Sequence, residues 1–294
     1  MPAPGWYPDP WRLATARWWD GWAWSAAVLP AGPMPASGPA SAGAGEPMAG
    51  IADPPRGRWG LGDVALMFAI TAASVVAIVV VVVVLVAAAG PQGTSTSAPL
   101  GVDLGSVGNA WATIASLVLP WIGLAGWPLL VGRWKGPGWR ASFGFAPRWS
   151  SLGWGLLGGA GTFVAILIGS LLVAVAVGSQ ADSAAADAAV SLRSVPVAFA
   201  VMLALISLGA PFVEELAFRG LFWGAMVKRW GRPWLATFVT GAAFGVFHLE
   251  PVRLVGLVAG GIVLGIVRHK AGLAASVVSH ATLNTVAALS LLLS

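Results

Sequence analysis

The 294-residue chain contains no cysteine, which excludes disulfides, thiolate nucleophiles and Cys-based metal sites. Charge is almost as scarce. Asp, Glu, Lys and Arg make up 9% of the residues, against roughly a quarter in ordinary soluble domains. A soluble globule of this size would need far more polar cover. The first 25 residues are Trp-rich and polar and lack the short apolar core of a secretory signal, so the first spanning helix is expected to stay in place as an anchor. The formal net charge is +5, yet the basic residues form no aromatic-interleaved soluble face. Nucleic acid is therefore not an expected partner.

What the chain has in excess is apolar length. Hydrophobic residues occupy 57% of positions, and Val64 to Ala89 runs without a single charge. About 20 apolar residues span a bilayer core, so this stretch can cross with some tilt. Further apolar segments near 109–131, 152–177, 195–227, 234–249, 252–267 and 271–292 predict an all-α membrane protein, a polytopic helical bundle of about seven transmembrane helices. The fourth segment is too long for one straight crossing, and Pro211 is expected to bend it.

The basic residues alternate with these segments. Arg12, Arg17, Arg56 and Arg58 precede the first; Arg133, Lys135, Arg140 and Arg148 follow the second. Lys228, Arg229 and Arg232 follow the fourth, and Arg268 and Lys270 follow the sixth. The opposite side holds only Arg193 and Arg253, a distribution of thirteen against two with Arg219 inside a helix. Under the positive-inside rule this predicts a multi-pass cell-membrane protein with a cytoplasmic N-terminus, its basic loops facing anionic lipid.

The chain divides into three parts. Residues 1–25 form a Trp-rich module, 26–60 an Ala/Gly/Pro/Ser linker expected to be disordered, and 61–294 the membrane domain, with its polar motifs in 195–292. In the module, Gly5, Trp6, Tyr7, Asp9 and Pro10, then Arg17, Trp18, Trp19, Asp20, Gly21, Trp22 and Trp24, resemble a short N-terminal domain of unknown function found in bacterial membrane proteins. Its Asp-Gly pair suits a tight turn between two aromatic strands.

Ionisable side chains at the bilayer centre cost about 2.5–3.5 kcal/mol each on insertion scales, yet three segments carry a concentrated set. PFVEELAFRG holds Glu214, Glu215 and Arg219, FGVFHLE holds Phe244 and His248, and SHATLNT holds His280 and Asn284. Glu215 and Arg219 lie four apart on one helix face with the acid first, the favoured order for an ion pair. Glu214 sits one position round the helix, free of that pair and available for chemistry. At about 1.5 Å rise per residue, Glu214 lies about 21 Å from Lys228, His248 about 24 Å from Arg232, and His280 and Asn284 about 15 and 21 Å from Lys270. Residues from three helices are thus expected in one layer. A carboxyl removed from water suits a general base that must later return its proton, and His and Asn can stabilise an oxyanion where water does not compete. Zinc held by Glu214, His248 and His280 is an alternative, although the spacing is not that of HExxH. Both readings stay open.

In that order on successive helices, EExxxR, FxxxH and HxxxN resemble the CAAX-protease and bacteriocin-processing (CPBP) intramembrane endopeptidases over residues 195–292. The resemblance implies a glutamate-dependent or metallo-endopeptidase acting on a peptide or lipidated peptide. It assigns Glu214 and His248 to water activation and places His280 and Asn284 at the substrate carbonyl, with Glu215, Arg219 and Phe244 in support. Plainer readings stand beside these. Glu215 and Arg219 can be a helix-stabilising pair, Asn284 a helix-gluing amide, and Phe244 packing. His269, between Arg268 and Lys270, reads as surface, and Glu250 and Arg253 as a solvated membrane edge. Gly261 and Gly265 have the small-xxx-small spacing of close helix contacts. Two other classes compete with a peptidase: a proton- or ion-coupled transporter, whose usual internal repeat is not evident, and a non-catalytic scaffold or immunity protein.

Overall fold

A computed structural model describes residues 5–9, 14–19, 24–29, 55–89, 104–178 and 183–293. Near the N-terminus, strands β1 (Gly5–Pro8), β2 (Ala16–Trp19) and β3 (Trp24–Leu29) form an antiparallel sheet in the order β1-β2-β3. Trp19 pairs with Trp24 across the second hairpin, and the expected Asp20-Gly21 turn lies outside the described residues. Aromatic edges supply most of the packing, with Trp6 on Trp18 at 5.5 Å and Trp19 on Trp24 at 5.3 Å between ring centroids. Inside the sheet, Arg17 Nε donates to Asp9 Oδ1 at 2.8 Å with both side chains buried. The third strand carries the module to Leu29, beyond the expected boundary at 25.

The expected linker is also shorter at its far end. Residues 30–54 lie outside the described residues, but 55–60 pack onto the membrane domain. Arg56 N–H donates to Ser142 O at 2.9 Å, and Trp59 is buried against Phe143 at 5.0 Å. Lys228, expected in a cytoplasmic loop, is buried here. Its Nζ donates to the carbonyls of Gly57 and Trp59 and sits 4.0 Å from the centre of the Trp59 ring.

The helices of the membrane domain run α1 (Leu61–Ala89), α2 (Leu104–Val118), a π-helical turn (Ile122–Gly126), α3 (Trp127–Trp134), α4 (Trp139–Phe143), α5 (Trp149–Val177) and α6 (Ala184–Ser191). Then come α7 (Pro196–Ala204), α8 (Ala210–Glu215) and α9 (Trp223–Trp230), separated by π-helical turns at Leu205–Gly209 and Leu216–Phe222. The chain closes with α10 (Pro233–Phe247), α11 (Leu254–Ala271) and α12 (Leu273–Leu293).

Among the described residues, six helices are long and apolar enough to cross a membrane. The fifth expected segment, near 234–249, is α10, which has only 15 residues, or about 22 Å at 1.5 Å per residue, short of a bilayer core of roughly 30 Å. It stops early because the chain reverses just after it: Leu249 has φ 54, a backbone region that leucine rarely adopts, and Pro251 opens the next turn. The long fourth span, Pro196–Trp230, has 35 residues. Its break is a π-helical turn directly before Pro211 rather than a kink at the proline alone.

The three last helices and α5 pack through small residues. A Cβ on Gly261 would come within 2.8 Å of Gly241 O, and one on Gly169 within 2.5 Å of Gly256 Cα. Backbones approach this closely only where the side chain is absent. Valines 79–84 of α1 and Leu157, Leu167 and Leu171 of α5 stay exposed, an apolar belt of the kind lipid covers.

Candidate active site

The fourth span brings two adjacent glutamates into different surroundings. Successive helix positions point about 100° apart, so α8 turns Glu215 into the bundle and Glu214 into a cavity of about 420 Å³. The Glu215 side chain is fully buried. Its Oε1 accepts from Arg219 Nη1 at 2.9 Å and faces His280 Nδ1 at 3.1 Å, while Oε2 accepts from the Ser276 hydroxyl. Arg219 also donates through Nη2 to Gly261 O at 2.7 Å, and its guanidinium lies 4.5 Å from the centre of the Phe244 ring.

Glu214 has no such network. Its Oε2 makes no hydrogen bond and lies 3.9 Å from His248 Nε2 and 3.9 Å from His280 Nε2. His248 caps α10 at the point where that helix ends, so the early stop delivers the imidazole into the bundle. Its Nδ1 lies 2.8 Å from Phe244 O. A carbonyl only accepts, so Nδ1 carries the proton. His280 Nδ1 similarly faces the Glu215 carboxylate and donates to it. Each ring therefore turns its Nε2 toward Glu214. The Phe244 ring packs between the two imidazoles, at 4.6 Å from His248 and 5.6 Å from His280.

Asn284 lines the same cavity, and its Nδ2 donates to Ile206 O at 2.9 Å. That carbonyl lacks its helical partner for a definite reason. In the preceding π-helical turn Ala210 N–H bonds to Leu205 O, and the next bond in that register would start from residue 211, which is proline. Asn284 supplies the missing donor.

Of the residues outside the motifs, Ser276 and Arg268 support the site, and several depart from their expected places. Ser276 extends the stripe of His280 and Asn284 by one further step of four, a spacing visible in the sequence. Arg268, expected in a cytoplasmic loop, is fully buried: Nε donates to Arg219 O at 3.1 Å and Nη2 to Phe143 O at 3.1 Å. His269, expected at the surface, is 4% exposed and packs on Trp234 at 5.2 Å. Both sit in the last turn of α11. Glu250 and Arg253 form an ion pair lining the cavity rather than a freely solvated edge.

Metal ligation can be judged from the distances. Tetrahedral zinc with bonds of about 2.0–2.1 Å places its ligand atoms about 3.3 Å apart. The 3.9 Å separations around Glu214 are wider. Among the described residues no group of three His, Cys, Asp or Glu side chains is arranged to hold a metal ion.

Residues 196–286, which carry all three motifs, match the family described as Type II CAAX prenyl endopeptidase Rce1-like. This agrees with the resemblance read from EExxxR, FxxxH and HxxxN. Residues 4–37 match a second family, a protein of unknown function (DUF2510), at the Trp-rich sheet. No curated protein and no solved structure matches the chain.

Proposed function

We propose that the chain is an intramembrane endopeptidase of the CAAX-protease and bacteriocin-processing type, hydrolysing a peptide bond with water activated by Glu214 and His248. The observation that carries this reading is the position of Glu214 Oε2, unbonded and 3.9 Å from two imidazole nitrogens. Atoms at that separation can share one water through hydrogen bonds of about 2.8 Å.

In the reaction, the water oxygen bonds to the carbonyl carbon as Glu214 takes a proton from it. When the C–N bond breaks, Glu214 returns that proton to the leaving amine. One peptide bond and one water become a carboxyl and an amine. The histidines differ by what stands behind them. His248 is backed by the neutral Phe244 carbonyl and keeps a lone pair for the water. His280 is backed by the Glu215 carboxylate, which orients the ring and can balance positive charge on it. With Nε2 protonated as well, the cationic His280 ring can donate to the oxyanion while Glu215 balances its charge, as the Asp partner supports His in a serine-protease triad. Asn284 spends one N–H on Ile206 and has one left for the substrate carbonyl.

The buried layer of Glu215, Arg219 and Arg268 closes the cavity on the side of the basic loops, which favours a one-ended hydrolase site over a transport path. The charge asymmetry of the loops supports a cytoplasmic N-terminus. The test is cleavage of a peptide library by purified protein. Glu214→Ala and His248→Ala are each expected to abolish cleavage while the protein remains inserted and helical; normal cleavage by either overturns the assignment.

A further inference from the structure

The two ends of the site are built differently, and this bears on where its substrate comes from. α9 ends, and α10 and α12 begin, beside the basic residues Lys228, Arg229, Arg232 and Lys270. From Glu215 toward that end the bundle is solid. Arg219, Arg268, Phe143 and Trp59 are each no more than 2% exposed, and Arg268 ties α11 to the backbone of Phe143 and of Arg219. Residues 55–60 lie over the same end.

The cavity runs the other way. It reaches from Glu214 and His248 to Ala186 of α6, to the Glu250–Arg253 ion pair after α10, and to Leu291 near the end of α12. All of these belong to the end remote from the basic loops, where Arg193 Nη2 donates to Leu291 O at 2.6 Å. Among the described residues, Arg193 and Arg253 are the only Lys or Arg side chains at this end.

Resting on the peptidase reading above, we infer that the site takes its substrate from the extracytoplasmic face: an extended, membrane-held peptide whose scissile bond lies at the outer edge of the bilayer. Two physical terms set this class. The positive-inside distribution puts the sealed end in the cytoplasm and the open end outside. The cavity volume of about 420 Å³ is at the small end of ligand pockets, room for a few residues of extended chain and not for a folded helix pair. Its walls include Met202, Ile206, Leu257 and Leu283, which suit apolar side chains, and the ion pair at the mouth suits the polar backbone of a segment leaving the membrane. A tail presented in the cytoplasm would meet the closed layer instead.

The absence of cysteine makes the test direct. Ala186→Cys at the mouth and Arg232→Cys at the basic end are each made as the sole cysteine of the full chain. Intact cells are then treated with a bulky, membrane-impermeant maleimide. The Ala186→Cys chain is expected to label in intact cells and the Arg232→Cys chain only after permeabilisation; the reverse pattern overturns the inference. In sealed right-side-out vesicles, a fluorescence-quenched pool of apolar peptides added outside is expected to be cleaved, with at least a tenfold loss once the Ala186→Cys chain is labelled. Cleavage confined to inside-out vesicles also overturns it. Glu214→Gln separates the two readings. If it cleaves like the parent while the labelling pattern holds, the peptidase mechanism fails and the sidedness stands.

Discussion

Glu214 and Glu215 are neighbours in the chain and opposites in the fold. Glu215 is saturated, with a guanidinium, an imidazole and a hydroxyl around one buried carboxylate. Glu214 is 18% exposed, lines a cavity, and offers an oxygen with no hydrogen-bond partner between two imidazole nitrogens. A buried charge satisfied on every side rigidifies the bundle and cannot react without breaking that network. One with an unspent oxygen can accept a proton. A single 100° step along a helix separates scaffold from chemistry.

That contrast can be broken from either side. The largest effect is expected at Glu214 itself. Glu214→Gln keeps the shape and removes the base, and a general base is worth on the order of 10²–10⁴-fold in rate. Its cleavage rate should fall by that factor with the thermal unfolding temperature in detergent unchanged. Glu215→Ala should do the reverse in origin: it strands buried Arg219 without its carboxylate, which costs about 3–5 kcal/mol. The expected readout is loss of folded protein from the membrane fraction, and a fully stable variant would show that the pair is dispensable.

Smaller changes sharpen the comparison. Ser276→Ala removes one of the three partners of Glu215, a hydrogen bond to a charged group worth about 1.5–3 kcal/mol. It is expected to lower the unfolding temperature and to leave the substrate KM unchanged. The smallest effect on stability is expected at Asn284. Its bond to Ile206 O joins two membrane helices, and such bonds average about 0.6 kcal/mol. Asn284→Ala should be nearly as stable as the parent yet slower in turnover; unchanged turnover would leave Asn284 as helix glue alone.

Much of this was legible in the residue pattern. Long uncharged runs announce spanning helices because the bilayer admits little else. The i, i+4 spacings of Glu215 with Arg219 and of His280 with Asn284 announce shared faces, because helical geometry is local. The burial of Arg268 and His269 was not legible, since a basic cluster between two apolar runs reads as a loop, and the groups that enclose it, Arg219 O, Phe143 O and Trp234, lie far away in sequence. Nor was the partner of Asn284. It depends on a carbonyl released by the π-helical register before Pro211, and nothing in the apolar sequence LISLG marks that change of register.

By itself, the order of residues determined the membrane class, the basic asymmetry of the loops and the three polar motifs, because each follows from composition or from spacing along one helix. Only the tertiary structure decided which further partners saturate Glu215, which carbonyl Asn284 serves and which end of the cavity is closed. Those depend on distances between helices far apart in sequence, set by how closely glycine-lined backbones pack and where α10 stops.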